Sequence, residues 1–422
     1  MITSPPRNRF AFLQSSCSEI ENTDAGFLAA MQGQMTATVG DFKPQEIANV
    51  MWAVARMGIR LDAGVLEALQ GRATATAGDF APQNVSNLVN SLAKLRIRPD
   101  AGLLDAMQKQ ATATAGDFKP QEIANLIGAL AKMGLKNPHA GLLEAMQGRA
   151  VEKAGDFIPQ TIADLMWALA TIGLQNPDAS LVEAMQRRAT ETAGGFEPKE
   201  IAMLMFALEK MGLTPDAGLW EAIQKRATAK AGFFNPQEVT MVMSALAKMG
   251  IMPDAGLVEA MQRRATATAV DFIPQGVANL MLALANMGIT PDAGLLEAMQ
   301  KRAKETADGF NHQAVANLMS ALAKMGIKNP DAGLLEVMQR RATETAGDFT
   351  PKHVANLMFA LANMDITPDA GLLVAMQGPA MARAGEFKPQ EVSMLLSALE
   401  KMGIAPDAGL VEAMQGRRGK GF

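Results

Sequence analysis

The feature that most constrains this chain is a short motif, typified by "DFKPQ", that recurs ten times along its 422 residues. Successive copies are separated by 38 or 39 residues. A repeat of this length is typical of arrays of helical hairpins, in which each unit buries its apolar face against its neighbours. The repeat therefore predicts one extended helical domain and not several independent cores. Its anchor phenylalanines are Phe42, Phe80, Phe118, Phe157, Phe196, Phe234, Phe272, Phe310, Phe349 and Phe387.

Each copy contains signals for two helices. Helix A is predicted to begin at the proline of "FxPQ", Pro44 in the first copy, and to end at the glycine of "KMG". Proline suits the first helical turn, and glycine tolerates the left-handed conformation that ends a helix. Helix B is predicted to begin after the capping aspartate of "PDAGLLEAMQ" and to run to the glycine of "TAG", Asp62 to Gly78 in the first copy. In copy nine, Pro379 lies inside helix B and predicts a kink or a shortened helix.

These signals define the expected architecture. We expect an all-α fold, a right-handed superhelical α-solenoid of about ten helix-turn-helix repeats of 38–39 residues. The first eighteen residues contain two arginines and no acid, as in a short transit peptide, but Pro6 precedes Asp24 at the offset seen in a full copy. The N-terminal segment is therefore either a transit peptide or a degenerate capping helix. The predicted domains are residues 1–23 as this segment, 24–41 as a half repeat, 42–416 as ten tandem repeats and 417–422 as a basic tail.

Composition excludes several classes of function. The single cysteine, Cys17, cannot form an internal disulfide, and the three histidines fall at three different places in the repeat. No apolar run is long enough to span a membrane. The sequence contains no phosphate-binding glycine motif and no arrangement typical of a catalytic site. We therefore expect no enzyme, no cofactor, no metal site and no membrane partner.

Helix A has two distinct sides. Counted from its proline, positions 4, 7, 8, 11 and 14 fall in an arc of ~120° and are apolar, as with Ile47, Val50, Met51, Val54 and Met57. Positions 2, 6, 9 and 13 fall in a ~60° arc on the opposite side, which we call the helix A stripe. An apolar face on one side predicts that the stripe lies on an exposed surface.

The helix A stripe varies among copies whose other positions are nearly constant. Position 2 is glutamine or lysine, position 6 is asparagine, aspartate or methionine, position 9 changes freely, and position 13 is mostly basic. The stripe residues taken as candidate binding residues are Gln45, Asn49, Trp52, Arg56, Gln83, Asn87, Asn90, Lys94, Gln121, Asn125, Lys132, Gln160, Asp164, Trp167, Lys199, Met203, Phe206, Lys210, Gln237, Met241, Ser244, Lys248, Gln275, Asn279, Gln313, Asn317, Ser320, Lys324, Lys352, Asn356, Phe359, Gln390, Met394, Ser397 and Lys401.

The chemistry of the stripe suits single-stranded RNA. Amides read base edges, aromatic rings stack on bases, and lysine or arginine meets phosphates. Four alternatives stay open: free drift of exposed positions, packing of position 9 rings on the next helix, asparagines that bridge helices, and lysines that complement the helix dipole. The net charge of −4 also lacks the basic character of a strong phosphate binder. The alternative function is a protein-binding scaffold with aromatic anchors at position 9.

Helix B carries a second recurring basic residue. An arginine stands ten residues after the capping aspartate in eight copies, as in Arg72, and an aspartate such as Asp79 often follows it. We expect a structural ion pair between the two and not a phosphate contact.

The helix A sequences also carry a family resemblance. "FKPQEIANLIGALAKMG" (Phe118 to Gly134), "FIPQTIADLMWALATIG" and "PQEIANVMWAVARMG" resemble the 38-residue octotricopeptide repeats of organellar RNA-maturation and translation factors in algae and related protists. They are also similar to the helical repeats found with RAP domains. The resemblance implies sequence-selective binding of an organellar transcript, in RNA processing, stability or translation. It further implies a mitochondrial or plastid location, with the cytoplasm as the alternative, and RNA-processing proteins as further candidate partners.

Overall fold

The computed structural model describes residues 25–405, in which twenty α-helices alternate with short turns and no strand is present. Odd-numbered helices correspond to helix B of the repeat and even-numbered helices to helix A. The B helices are α1 (Ala25–Thr38), α3 (Ala63–Ala75), α5 (Ala101–Ala113), α7 (Ala140–Glu152), α9 (Ala179–Glu191), α11 (Ala217–Ala229), α13 (Ala255–Ala267), α15 (Ala293–Glu305), α17 (Ala332–Glu344) and α19 (Ala370–Ala382). The A helices are α2 (Pro44–Met57), α4 (Pro82–Lys94), α6 (Pro120–Lys132), α8 (Pro159–Ile172), α10 (Pro198–Lys210), α12 (Pro236–Met249), α14 (Pro274–Asn286), α16 (His312–Lys324), α18 (Pro351–Asn363) and α20 (Pro389–Lys401).

The described residues form two compact units. The first comprises residues 25–157 and Thr171–Met185, and the second comprises Ile158–Ala170 and residues 186–405. In the first unit, helices α2, α4 and α6 pack in series, as do α1, α3, α5 and α7. In the second, the A helices from α10 to α20 and the B helices from α11 to α19 do the same. The predicted all-α fold of helical repeats packed in series is therefore confirmed.

Two of the predicted terminal segments are outside this description. The segment before residue 24, with its expected transit peptide or degenerate helix, and the basic tail at 417–422 lie outside the described residues, as does helix B of the tenth copy. Among residues 25–405, the structure contains no helix with both the length and the apolar character that a membrane span requires.

The ends of helix A follow the sequence signals. Proline occupies the first turn in nine of the ten A helices, and in five copies a glutamate at the third position accepts the backbone N–H of the capping residue, as Glu46 does from Lys43 at 2.8 Å. Gly58 ends α2 with φ of 68°. Arg96 and Asp365 occupy the same position in other copies with φ of 57° and 60°, although side chains disfavour this region. The start and end of helix A are thereby fixed in one register along the chain.

Helix B begins as predicted but ends earlier. Asp100 accepts the N–H of Leu103 at 2.7 Å, and six further capping aspartates make the equivalent bond. The expected end at the glycine of "TAG" is wrong, because α3 ends at Ala75 and a 3₁₀ turn, Ala77–Asp79, follows. The tighter turn delivers the next anchor, Phe80, into the core, where it is 1% exposed.

A glutamine latch that the sequence did not reveal joins successive B helices. The glutamine of "EAMQ" accepts the backbone N–H of the residue that caps the next helix B, at 2.6–3.2 Å. Because that N–H lies at a helix terminus, it has no partner within its own helix. The glutamines that make this bond are Gln32, Gln70, Gln108, Gln147, Gln186, Gln224, Gln262, Gln300 and Gln339.

The recurring arginine of helix B has a different partner from the expected aspartate. Arg72 Nε donates to the carbonyl oxygen of the anchor Phe42 at 3.0 Å, and the same bond recurs in five further copies. Gln110, which replaces arginine in copy two, donates to the carbonyl of Phe80 at 2.8 Å. The expected pairing with Asp79 is therefore wrong: the arginine clamps the turn before helix A to helix B of the same copy. In four copies the arginine at this position also reaches a glutamate three residues on.

The core consists of the anchor phenylalanines and the apolar side of helix A. Eight of the ten anchors are at most 1% exposed, as are Ile47 and Met51. Met57, expected on the apolar side, is 62% exposed. Of the kink or shortened helix expected in copy nine, the shortening does not occur, because helix α19 keeps thirteen residues with Pro379 inside it.

Candidate functional site

The helix A stripe lies on the accessible side of the A helices. None of the thirty-five candidate residues is buried, and both ends of each A helix are set by the repeat, so the stripe keeps one register from copy to copy. The exposed members are Gln45, Asn49, Trp52, Arg56, Gln83, Lys94, Gln121, Lys132, Gln160, Lys199, Lys210, Gln237, Lys248, Gln313, Lys324, Lys352, Gln390, Ser397 and Lys401. The half-buried members are Asn87, Asn90, Asn125, Asp164, Trp167, Met203, Phe206, Met241, Ser244, Gln275, Asn279, Asn317, Ser320, Asn356, Phe359 and Met394.

In the second unit, stripe residues from four successive A helices line one groove. Its volume is about 490 Å³, and it extends over α14, α16, α18 and α20. All of its lining residues except Ala323 and Ala360 occupy stripe positions. The groove therefore combines amide side chains, basic side chains and one aromatic ring. The lining stripe residues are Leu282, Asn286, Asn317, Ser320, Lys324, Lys352, Asn356, Phe359, Asn363, Gln390 and Met394.

Three of these lining residues were absent from the predicted set. Leu282 occupies position 9, and Asn286 and Asn363 occupy position 13, where the sequence led us to expect a basic residue. Lys324 Nζ donates to Asn286 Oδ1 at 2.8 Å, and Lys401 Nζ donates to Asn363 Oδ1 at 3.4 Å. All three would have been identified if every residue at positions 2, 6, 9 and 13 of helix A had been included, whatever its type.

A second, smaller groove lies in the first unit around Trp52. Its volume is about 270 Å³, and Trp52 and Arg56 line it together with Ser91 and Lys94 of the next A helix. The guanidinium carbon of Arg56 lies 5.1 Å from the centre of the Trp52 ring, a cation–π contact, and the ring is 43% exposed. The ring therefore borders a space between two A helices and keeps accessible surface.

The polar residues of the stripe are connected along and between helices. Gln121 Nε2 donates to Asn125 Oδ1 at 3.1 Å, and Gln275 Nε2 donates to Asn279 Oδ1 at 2.9 Å. Asn317 Nδ2 reaches Asn279 Oδ1 from the next helix at 3.4 Å. The alternative that asparagines bridge neighbouring helices therefore holds at this one described pair.

The stripe is basic although the chain is not. Nine lysines and arginines occupy its positions 2 and 13, and Asp164 is its one carboxylate, whereas the chain as a whole has a formal charge of −4. Lys248 pairs with Glu209 at 3.3 Å and Lys401 with Asp365 at 3.6 Å. Within residues 25–405, the other seven bases of the stripe form no ion pair with a carboxylate. Their positive charge is therefore available to an anionic ligand.

Two histidines meet beside this stripe. The rings of His312 and His353 lie 5.0 Å apart, and His353 Nδ1 is 3.0 Å from Thr350 Oγ1. Burial, followed by the charges of His312 and Lys352, lowers the pKa of His353 below its ordinary value. In the part of the chain that the structure describes, no group of three or more histidine, cysteine or acidic side chains is arranged to hold a metal ion.

Comparison with solved structures found distant likenesses. A homology model of the full-length AP-3 complex in an intermediate open conformation has a TM-score of 0.35 and 10% identity over 94% of this chain and 88% of that chain. An engineered protein has a TM-score of 0.20 and 14% identity over 86% of this chain and 97% of that one. The pentatricopeptide repeat protein PPR10 from maize has a TM-score of 0.18 and 13% identity over 98% of this chain and 78% of that chain.

Comparison at the level of sequence gave one family. No curated protein matched the chain. The family described as "RNA-editing substrate-binding complex 6 protein", RESC6, matched over residues 8–308 and again over residues 226–415. Together these two matches cover all but the first few and last few residues, and the chain therefore belongs to the RESC6 family.

Proposed function

We propose that this protein is a sequence-selective, non-catalytic binder of single-stranded RNA that acts through the helix A stripe. The observation that carries the proposal is the groove of about 490 Å³, in which lysines, amides and Phe359 from four successive A helices line one surface. The family description, an RNA-editing substrate-binding complex protein, supports RNA as the ligand class. We place its role in organellar RNA processing, stability or translation, in a mitochondrion or plastid, with RNA-processing proteins as partners.

Each residue type in the groove has a role that RNA chemistry requires. A half-buried aromatic ring that lines the groove, as Phe359 does, can stack on a base, and such stacking contributes roughly 1–3 kcal/mol per base. Asn317 and Asn356 offer amides that read the edges of unpaired bases. Lys324 and Lys352 supply positive charge for phosphates. Repeat proteins that read about one base per helical unit use two or three side chains per repeat, as the stripe offers.

The distribution of charge reconciles RNA binding with a net charge of −4. Seven bases of the stripe form no ion pair within the described residues, whereas most of the recurring helix B arginines pair with carboxylates. Phosphate binding depends on the local concentration of positive charge along the path of the strand. We therefore propose that the strand follows the stripe from copy to copy.

A protein-binding scaffold is the second candidate, and three exposed apolar residues favour it. Phe233, Val270 and Ile273 are 72%, 68% and 67% exposed, and all three lie in the loops that precede helix A in copies six and seven. Most copies place glycine or a polar residue at these positions. Exposed apolar residues grouped in this way are typical of protein contacts. None of the three residues is a stripe position, so the two candidate functions are compatible.

A binding titration at two salt concentrations distinguishes the two functions. The full chain is titrated into a fluorescently labelled, randomised single-stranded RNA of about fifteen nucleotides, at about 50 and 200 mM salt. If the protein contacts several phosphates of the RNA, its affinity should be at least tenfold lower at the higher salt concentration, since each contact releases counterions. Absence of binding even at the lower concentration would reject RNA as the ligand and leave the scaffold.

A further inference from the structure

Two asparagines of the stripe have their amide orientation fixed by a neighbouring side chain. Gln121, at position 2 of α6, donates its Nε2–H to Asn125 Oδ1 one turn later, at 3.1 Å. Gln275 makes the same bond to Asn279 at 2.9 Å, and Asn317 of the next A helix adds a second donor to the same oxygen. In both copies, the carbonyl oxygen of the position 6 asparagine is therefore occupied.

An asparagine whose carbonyl oxygen points towards a neighbouring donor turns its amide hydrogens to the opposite side, because the amide group is planar. The side chain has one acceptor oxygen and two N–H donors, and the donors do not rotate independently of the oxygen. In the described part of the chain, the structure provides no acceptor for the Nδ2 of Asn279. Asn125 and Asn279 are both half-buried on the stripe, so their donors border the surface on which the ligand would lie.

The four RNA bases differ in whether they can accept a hydrogen bond from the amide of the position 6 asparagine. Uracil and guanine carry a carbonyl oxygen, at O4 and O6, where cytosine and adenine carry an amino group. An amide N–H that faces a carbonyl forms a hydrogen bond, whereas an amide N–H that faces an amino group leaves two donors unpaired. A polar group left unpaired in a partly buried site is costly, and this cost gives discrimination.

We propose that Asn125 and Asn279 select a keto base, uracil or guanine, at the nucleotides bound by copies three and seven. The selection depends on position 2, because Gln121 and Gln275 set which end of the asparagine amide faces the RNA. Position 2 is thus a positioning residue that acts through position 6. This inference rests on the proposed binding of RNA by the stripe, and it adds the class of base that two copies select.

Exchange of Gln121 for glutamate tests the inference. Glutamate offers only acceptors, so Asn125 should turn its Nδ2 towards it and direct Oδ1 outward. The preferred base at one nucleotide should then change from uracil or guanine to adenine or cytosine, with an inversion of roughly tenfold in relative affinity, which is about 1.4 kcal/mol. Preference is read by sequencing RNAs selected from a randomised library by the full chain, followed by titration of the selected sequences.

The chain offers a matched control. Gln237→Glu introduces the same negative charge at position 2 of copy six, but position 6 there is Met241, which has no amide to turn. Both glutamines are exposed, so neither change should disturb folding. A second variant, Asn125→Met, should abolish preference at the nucleotide that Gln121→Glu inverts, and this identifies the nucleotide read by copy three.

The outcomes separate the inference from the function on which it rests. The inference is supported if Gln121→Glu inverts the base preference at one nucleotide and Gln237→Glu does not. If all variants bind RNA and Gln121→Glu keeps the original preference at every nucleotide, the role of position 2 is overturned while RNA binding stands. If the unchanged chain binds no RNA at low salt, the proposed function is rejected and the inference with it.

Discussion

The arginine clamp between helix B and the anchor phenylalanine gives the most direct test of how the repeats are held together. Arg264 Nε donates to the carbonyl oxygen of Phe234 at 2.6 Å, the shortest of these contacts together with that of Arg341. A hydrogen bond from a charged donor contributes about 1.5–3 kcal/mol to stability. Because Arg264 is only half-buried, water can bind the Phe234 carbonyl oxygen in a variant that lacks the arginine, and the loss of stability should lie at the lower end of this range. We therefore expect Arg264→Met, which retains most of the aliphatic stem, to lower the free energy of unfolding by about 1.5 kcal/mol.

The adjacent residue supplies the control. Arg263 has a side chain that is 70% exposed, and its ion-pair partner is Glu259 at 3.7 Å. Surface pairs of this kind contribute little, so Arg263→Met should change the free energy of unfolding by less than about 0.5 kcal/mol. The loss in free energy of unfolding caused by Arg264→Gln should lie between those of Arg264→Met and Arg263→Met, because Gln110 makes the equivalent bond in copy two without a charge.

The assay must resolve local changes, because a repeat array need not unfold in one step. Urea unfolding followed by circular dichroism gives the total effect, and amide hydrogen exchange shows whether the loss is confined to α13 and the turn before α12. If Arg264→Met and Arg263→Met give equal stability and equal exchange, the clamp does not hold the copy together and the reasoning is refuted.

Three further changes have definite expected outcomes. Phe359→Ala should weaken RNA binding by about tenfold through loss of base stacking, while Phe233→Ala, which removes an equally large ring outside the stripe, should leave titrations unchanged. Burial lowers the pKa of His353, so the unfolded chain binds more protons, and stability should fall as the pH decreases from about 7.5 to 5; His353→Gln should reduce this loss in pH-dependent melting curves. Arg96→Gly should raise the free energy of unfolding by about 0.5–1 kcal/mol, because φ of 57° strains a side-chain residue; an unchanged urea midpoint would contradict this.

The sequence predicted those features whose cause is local. Pro44 and Gly58 mark the ends of the first helix A because proline and glycine act on their own backbone, and Asp100 caps helix B through a bond to a residue three positions away. Repetition alone identified the anchor phenylalanines, but their burial in the core came from the structure. The exposure of the helix A stripe followed from helical periodicity.

Features that depend on a partner distant in the sequence were missed or assigned wrongly. The clamp arginines bind a backbone carbonyl thirty or thirty-one residues away, and a carbonyl has no signature in the sequence, so the nearby Asp79 looked like the partner of Arg72. The latch glutamines lie on an amphipathic helix and resemble ordinary surface residues until the next repeat is placed beside them. Met57 was assigned to the core because periodicity reports which side of a helix is apolar, but not whether a neighbour covers it.

The candidate site was predictable as a surface and not as a groove. The register identified the side of helix A that carries variable polar residues, but the groove arises where four helices place Lys324, Phe359 and Gln390 side by side. The hydrogen bonds that orient Asn125 and Asn279 also need coordinates, because the sequence cannot show which atom of an amide is occupied.

The central claim is that the basic residues of the stripe, and not those of helix B, hold the RNA, and the salt dependence of binding tests it most directly. Binding of one single-stranded RNA is measured over a series of salt concentrations for a triple alanine variant of the stripe and for a matched triple variant of exposed bases on helix B. The stripe variant changes Lys132, Lys210 and Lys324, and the control changes Lys225, Arg263 and Lys301. Each phosphate contact adds about 0.7 to the slope of log affinity against log salt, so the stripe variant should lose about 2 from that slope and the control should keep the original value. Equal slopes for the two variants would contradict the claim that RNA lies along the helix A stripe.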